Sequence, residues 1–178
     1  AVVGLAWVDS SIAPLPVDVG SVRAVVVAIA VASIVLATFA AWIQDDLEHV
    51  VGYSIVGDAG VVMLAFAALD PAAWTPGRTW ILAFVVTRSA FAGWAAVVRD
   101  SFGTASLADL RGWAIRSPIL AAGLVTIVVA SIGLPGFAAF EARSELVDLA
   151  LDGPLQALVL VATLAPILYY GRLLAIGA

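Results

Sequence analysis

The stretch that decides the fold runs from Pro118 to Asp152, with Ser131-Ile132-Gly133-Leu134-Pro135-Gly136-Phe137 at its centre. An apolar helix enters this segment. Pro135 removes a backbone donor and crowds the preceding turn, so the helix cannot run through unbroken. On the far side it resumes with Glu141, Arg143 and Glu145. A broken helix with charges beside it is costly in hydrocarbon, and persists where protein or a water-filled cavity satisfies the freed backbone groups. Ionisable residues at such a depth mark ion or proton paths by default.

The rest of the chain agrees with a membrane setting. Of 178 residues, 63% are hydrophobic and 12% charged, with a mean hydropathy of +1.12. Soluble domains carry about a quarter charged residues, so the composition predicts a polytopic membrane protein. Runs of the length needed to cross a bilayer, about 20 residues, occur at 22–43, 50–69, 79–98 and 155–176. The broken segment 118–151 makes a fifth span. The fold class expected is therefore all-α, a helical bundle of about five spans with one discontinuous helix. Residues 1–21, with Pro14 and Pro16, are expected to form an irregular lead-in to a membrane domain over 22–178. The chain opens at Ala1 without a basic, cleavable leader pattern, and is expected to be the C-terminal part of something longer.

Several function classes are disfavoured. A net charge of −5 argues against nucleic acid and against docking on an anionic lipid surface. Without cysteine there are no disulfides and no Cys-ligated clusters, and a single histidine, His49, argues against a multi-histidine metal or haem site within the chain. No cofactor is expected. All eight basic residues are arginine, which scarcely deprotonates, whereas a buried lysine can. Arg99, Arg111, Arg116 and Arg172 outnumber Arg23 and Arg78 across the two sides, which assigns the 44–49 and 99–117 loops to the cytoplasm. Trp42, Trp74, Trp80 and Trp113 fall close to span ends and are expected at the membrane interface.

Gln44-Asp45-Asp46-Leu47-Glu48-His49-Val50-Val51-Gly52-Tyr53-Ser54 and Ser131-Ile132-Gly133-Leu134-Pro135-Gly136-Phe137 resemble segments of the antiporter-like, proton-translocating membrane subunits of respiratory complex I (NADH-quinone oxidoreductase), a family shared with Mrp antiporters and membrane-bound hydrogenases. Leu107-Ala108-Asp109-Leu110-Arg111-Gly112-Trp113 and Tyr169-Tyr170-Gly171-Arg172 follow in the family's order. The resemblance covers about residues 22–176. It implies two inverted five-helix repeats, each with one broken helix, of which this chain supplies most of the second. It also implies an integral membrane location, bacterial or archaeal, other membrane subunits as partners, and protons, or sodium, as the transported ion. Redox chemistry would lie elsewhere in the complex. The departures are specific: Glu48-His49 stands where the family has Lys-Arg, Asp58 where it has a histidine, Arg88 and Ala92 where it often has a histidine and a lysine, and Arg143 where it has Lys or Glu.

The candidate site residues are Glu141, Arg143, Glu145, Arg88 and Asp58, with His49 as a possible proton entry. Glu141, Glu145, Asp148 and Asp152 share one helix face by spacing, with Arg143 pointing away. Carboxylates close together in a low dielectric can pass a shared proton; the bland alternative is a water-facing stripe. Arg143 is either a fixed charge in a proton path or a tie for loose carbonyls at the break. Asp58 and Arg88 lie at matching depths and are expected to pair, either as a relay station or as a plain salt bridge. His49 is a cytoplasmic proton entry or an exposed loop histidine. The alternative functions are a structural membrane subunit that has lost pumping and a sodium/proton antiporter subunit.

Overall fold

Proline and glycine punctuate this chain, and the helices begin and end where they allow. A computed structural model describes residues 19–178 apart from Leu69 and Leu134; most of the expected lead-in lies outside these. Helix α1, Val19–Ile43, starts three residues before the expected span. After a short connector, Asp46 caps α2, Leu47–Ala67, accepting from the amides of Glu48 (2.9 Å) and His49 (3.1 Å). Asp70 caps a 3₁₀ turn, Pro71–Ala73, which leads directly into α3, Trp74–Phe102. That helix consumes most of the expected 70–78 connector, because Pro76 falls in its first turn, where a missing amide donor costs nothing. It ends at Gly103, whose φ of 70° is the left-handed stop. The short α4, Trp113–Arg116, precedes α5, Pro118–Ile132.

The expected break is present: Gly133 and Gly136 take positive φ (63° and 92°) and α6, Ala138–Ala150, resumes beyond it. The final span is itself interrupted, as α7, Gly153–Leu164, and α8, Pro166–Gly177, a discontinuity absent from the sequence reading. Among the described residues, four helical stretches, 20–43, 47–67, 71–102 and 153–177, are long and apolar enough to cross a membrane, and Pro118–Ile132 is a shorter apolar helix. Large apolar side chains face outward, among them Leu82 (68% exposed), Val86 (67%) and Ile119 (81%). The chain is an all-α integral membrane bundle.

Two of the four tryptophans expected at the interface are core residues. Trp80 is 3% exposed and Trp113 2%, while Trp42 keeps the expected exposure at 42%. Trp113 is buried because the 103–117 loop packs onto the bundle end rather than standing in solvent. Its indole donates to the Leu173 carbonyl (3.1 Å), Leu47 N–H to Ala105 O (2.9 Å) and Leu107 N–H to Asp45 O (2.9 Å). The 44–49 and 99–117 segments thus share one end of the bundle.

The α1–α2 crossing is close at Gly60. A Cβ there would stand 2.8 Å from Ile34 Cγ1 and 2.9 Å from the Ala30 carbonyl. Since that oxygen belongs to backbone, it cannot yield cheaply. Gly60→Leu is expected to destabilise the protein by about 1–3 kcal/mol through overpacking, read as a lowered unfolding midpoint in detergent; an unchanged midpoint would show that the crossing is loose.

The core divides into two apolar clusters. Ile34, Val61, Trp80, Leu146 and Val159 belong to one; Leu47, Val50, Phe91, Trp94, Leu124 and Tyr170 belong to the other. Between them, on helix after helix, come polar residues: Thr38 on α1, Asp58 on α2, Thr87 and Arg88 on α3, Arg143 on α6 and Thr163 on α7. Ser131 lies at the end of α5. All of these except Asp58 are at most 9% exposed, and Asp58 is 14% exposed.

Candidate functional site

Arg88 sits midway along α3 and Asp58 near the middle of α2, so equal rise per residue brings them level. Arg88 Nε donates to Asp58 Oδ2 at 2.6 Å, the pair that the depth matching predicted. Arg88 Nη1 donates to the Tyr170 hydroxyl, also at 2.6 Å. That ring is held by Phe91 (centroids 5.2 Å apart) and Tyr169 (4.6 Å). On the other side of Asp58, the Trp80 indole donates to its backbone carbonyl at 3.3 Å. The carboxylate is thus placed by a cation, and the cation by a phenol.

Arg143 belongs to the same belt but bonds differently. Nη2 donates to the Ile132 carbonyl (2.9 Å) at the end of α5, and Nη1 to the Thr163 carbonyl (3.3 Å) in the last turn of α7. Its guanidinium also lies near the Phe140 and Trp80 rings, 5.5 and 5.8 Å from their centroids. Of the two roles open for it, the tie to loose carbonyls is directly visible. A cavity of about 10 Å³ separates it from Asp58, lined also by Thr38, Thr163 and Pro166. That is about the volume one water requires, and the lining offers it several polar partners. Ser131 Oγ is buried without a hydrogen-bond partner, alone in this among the described residues.

The remaining sequence candidates are placed elsewhere. Glu141, Glu145 and Asp148 do share one face of α6, but that face is exposed, while Ala142, Arg143, Leu146 and Val147 turn inward. Asp148 accepts from Gln156 Nε2 at 2.7 Å. His49 is 69% exposed, with Nδ1 3.7 Å from Asp46 Oδ1. The structure therefore places Asp58 and Arg143 on one small space, with Arg88 joined to it through Asp58, and sets Glu141, Glu145 and His49 outside it. Tyr170, Thr163 and Pro166 are absent from the candidates named by sequence. A proline within an apolar span was the legible signal for the last; nothing in the sequence pointed a tyrosine near one end of the chain at an arginine 82 residues earlier.

Comparison with known proteins gives a consistent result. The family described as "NADH:quinone oxidoreductase/Mrp antiporter, TM" matches residues 3–168. Among curated relatives, NADH-quinone oxidoreductase subunit N of Halorhodospira halophila is 29% identical over 150 residues, covering 82% of this chain and 31% of the relative. Subunit N 2 of Solidesulfovibrio magneticus is 32% identical over 164 residues, covering 92% and 34%. Subunit N 2 of Opitutus terrae is 32% identical over 145 residues, covering 80% and 30%. The chain spans about a third of the length of the curated relatives it matches.

Proposed function

This chain belongs to the NADH:quinone oxidoreductase/Mrp antiporter transmembrane family, and we propose that it forms part of a proton-translocating membrane subunit within a larger redox-driven complex. Other membrane subunits are its proposed partners, and a bacterial or archaeal cytoplasmic membrane its location, with the 44–49 and 99–117 end facing the cytoplasm. The observation that carries this reading is the buried chain of Tyr170, Arg88 and Asp58 midway through the bundle, with Asp58 and Arg143 bordering a water-sized space. A carboxylate there can take up and release a proton. The two guanidiniums cannot carry one, but they fix the electrostatic field in which it does so.

Protons fit this site better than sodium. A sodium ion beside Asp58 would share the space with two fixed positive charges, which repel it strongly where the dielectric is low. Glu141 and Glu145 lie on the outer face of α6 and serve, in this reading, as a lateral route completed by a neighbouring membrane element, since carboxylates at membrane depth need protein or water around them. His49 is the proposed cytoplasmic entry.

One observation favours the second reading, a scaffold that has lost pumping. Both buried cations are arginines held by hydrogen bonds, rather than lysines that can shed a proton. Asp58→Asn decides between them. In membrane vesicles carrying the assembled complex, pumping is expected to fall at least about a hundredfold, the lower side of what a positioned proton-transfer group contributes. The protein should still assemble. Full pumping by assembled Asp58→Asn would leave the scaffold reading standing.

A further inference from the structure

We infer that Arg143 couples the two helix interruptions, so that the Gly133–Phe137 break and the Pro166 kink move as one unit beside Asp58. Each interruption frees a carbonyl. At the first, Gly133 N–H closes α5 onto Val129 O (3.1 Å), and the Ile132 carbonyl is left to Arg143 Nη2. At the second, Pro166 has no N–H to give the Ala162 carbonyl, which accepts from Ala165 N–H at 3.2 Å instead. The next backbone bond runs from Leu168 N–H to Ala165 O (2.9 Å), and the Thr163 carbonyl goes to Arg143 Nη1. One planar fork thus holds the loose ends of two helices.

Its position leaves little slack. Arg143 is 3% exposed and is flanked by the rings of Phe140 and Trp80. Trp80 in turn holds the Asp58 carbonyl. Shifting α7–α8 at Pro166 must therefore pull the guanidinium, and with it the end of α5, or break one of the two bonds. The small space between Arg143 and Asp58 has Pro166 in its wall, so the same displacement changes its size. A packed interior answers such a push by switching between arrangements rather than by yielding smoothly. In this geometry Arg143 is a positioning residue, and the kink is the element through which a push on the last span reaches the buried carboxylate.

The test is a double-substitution cycle read by amide hydrogen exchange of the purified protein in lipid nanodiscs. Pro166→Ala restores the amide donor that the Ala162 carbonyl lacks, lets the helix run on through this point, and so lets the Ile167 N–H take the Thr163 carbonyl in place of Arg143. Exchange at Gly136–Ala139, some 30 residues away in sequence, is expected to quicken by about tenfold, the scale of one lost hydrogen bond to a charged donor. With Arg143→Gln already present, Pro166→Ala should change that segment by less than about twofold, since the connection is gone. An equal response in both backgrounds, or no response at Gly136–Ala139 in either, overturns the coupling. Where Arg143→Gln does not fold, Arg143→Lys takes its place. It keeps the charge but loses the fork, and a response as large as that of Arg143 itself would overturn the proposal equally.

Discussion

Arg88→Met is expected to destabilise the protein by about 3–5 kcal/mol, because it leaves the Asp58 carboxylate in the interior with its cation removed. Asp58 is 14% exposed and Arg88 4%, and the 2.6 Å contact is the carboxylate's one ion pair among the described residues. The double substitution Asp58→Asn with Arg88→Met should recover most of the loss, since removing both charges together costs far less than removing one. Denaturant unfolding of the three variants in detergent micelles checks this. A double variant no more stable than Arg88→Met would show that the pair contributes through packing rather than charge. The cycle also separates stability from transport: the double variant is expected to be folded and silent.

Arg143→Ala is the second large effect. It strands the carbonyls of Ile132 and Thr163, each worth about 1–3 kcal/mol when buried without a donor, and opens a void against Phe140 and Trp80. Arg143→Lys should recover part of this, because an ammonium can satisfy one carbonyl but cannot span two helices as the planar fork does. Unfolding midpoints order the three proteins as Arg, then Lys, then Ala. An alanine variant within about 0.5 kcal/mol of the original, the range of an uninvolved surface position, would mean that the two breaks are supported by something else.

Much of this architecture could be read from the chain. Pro135 between Gly133 and Gly136 dictates the interruption, and two glycines at positive φ are what it requires. Counting residues inward from the ends brought Asp58 level with Arg88, and the helical rise did the rest. The spacing of Glu141, Glu145 and Asp148 also put them on one face. Which face turned inward was a separate question. It is settled by Leu146 and Val147, both 0% exposed, which bring Arg143 in with them and leave the acids outside. Spacing defines a face, and only packing says what it meets.

The tryptophans show another limit. An indole near a span end is amphipathic enough for the membrane interface and large enough for a core, and composition does not separate the two. Trp80 and Trp113 are buried because each finds a carbonyl for its N–H, on Asp58 and Leu173, from helices remote in sequence. Tyr170 was opaque for the same reason. The Pro166 interruption is different: the residue was in view, but the uniform apolarity of 155–176 outweighed it.

The bundle end built from the 103–117 loop bears on how the protein is made. Gly112 N–H bonds to Ile176 O, and Arg172 reaches the carbonyls of Trp42 and Gln44 and the carboxylate of Asp45, contacts that span up to 130 residues. None of these bonds can form until α8 has emerged from the ribosome and entered the bilayer. Until then the Trp113 loop, synthesised some 60 residues earlier, has no Leu173 to hold it. Closing such long loops comes late and slowly, because the chain entropy must be surrendered before the contacts return anything. Biogenesis therefore has a built-in late step at this end. An assembly factor, or a neighbouring subunit, that needs an open loop would find it only in the newborn chain.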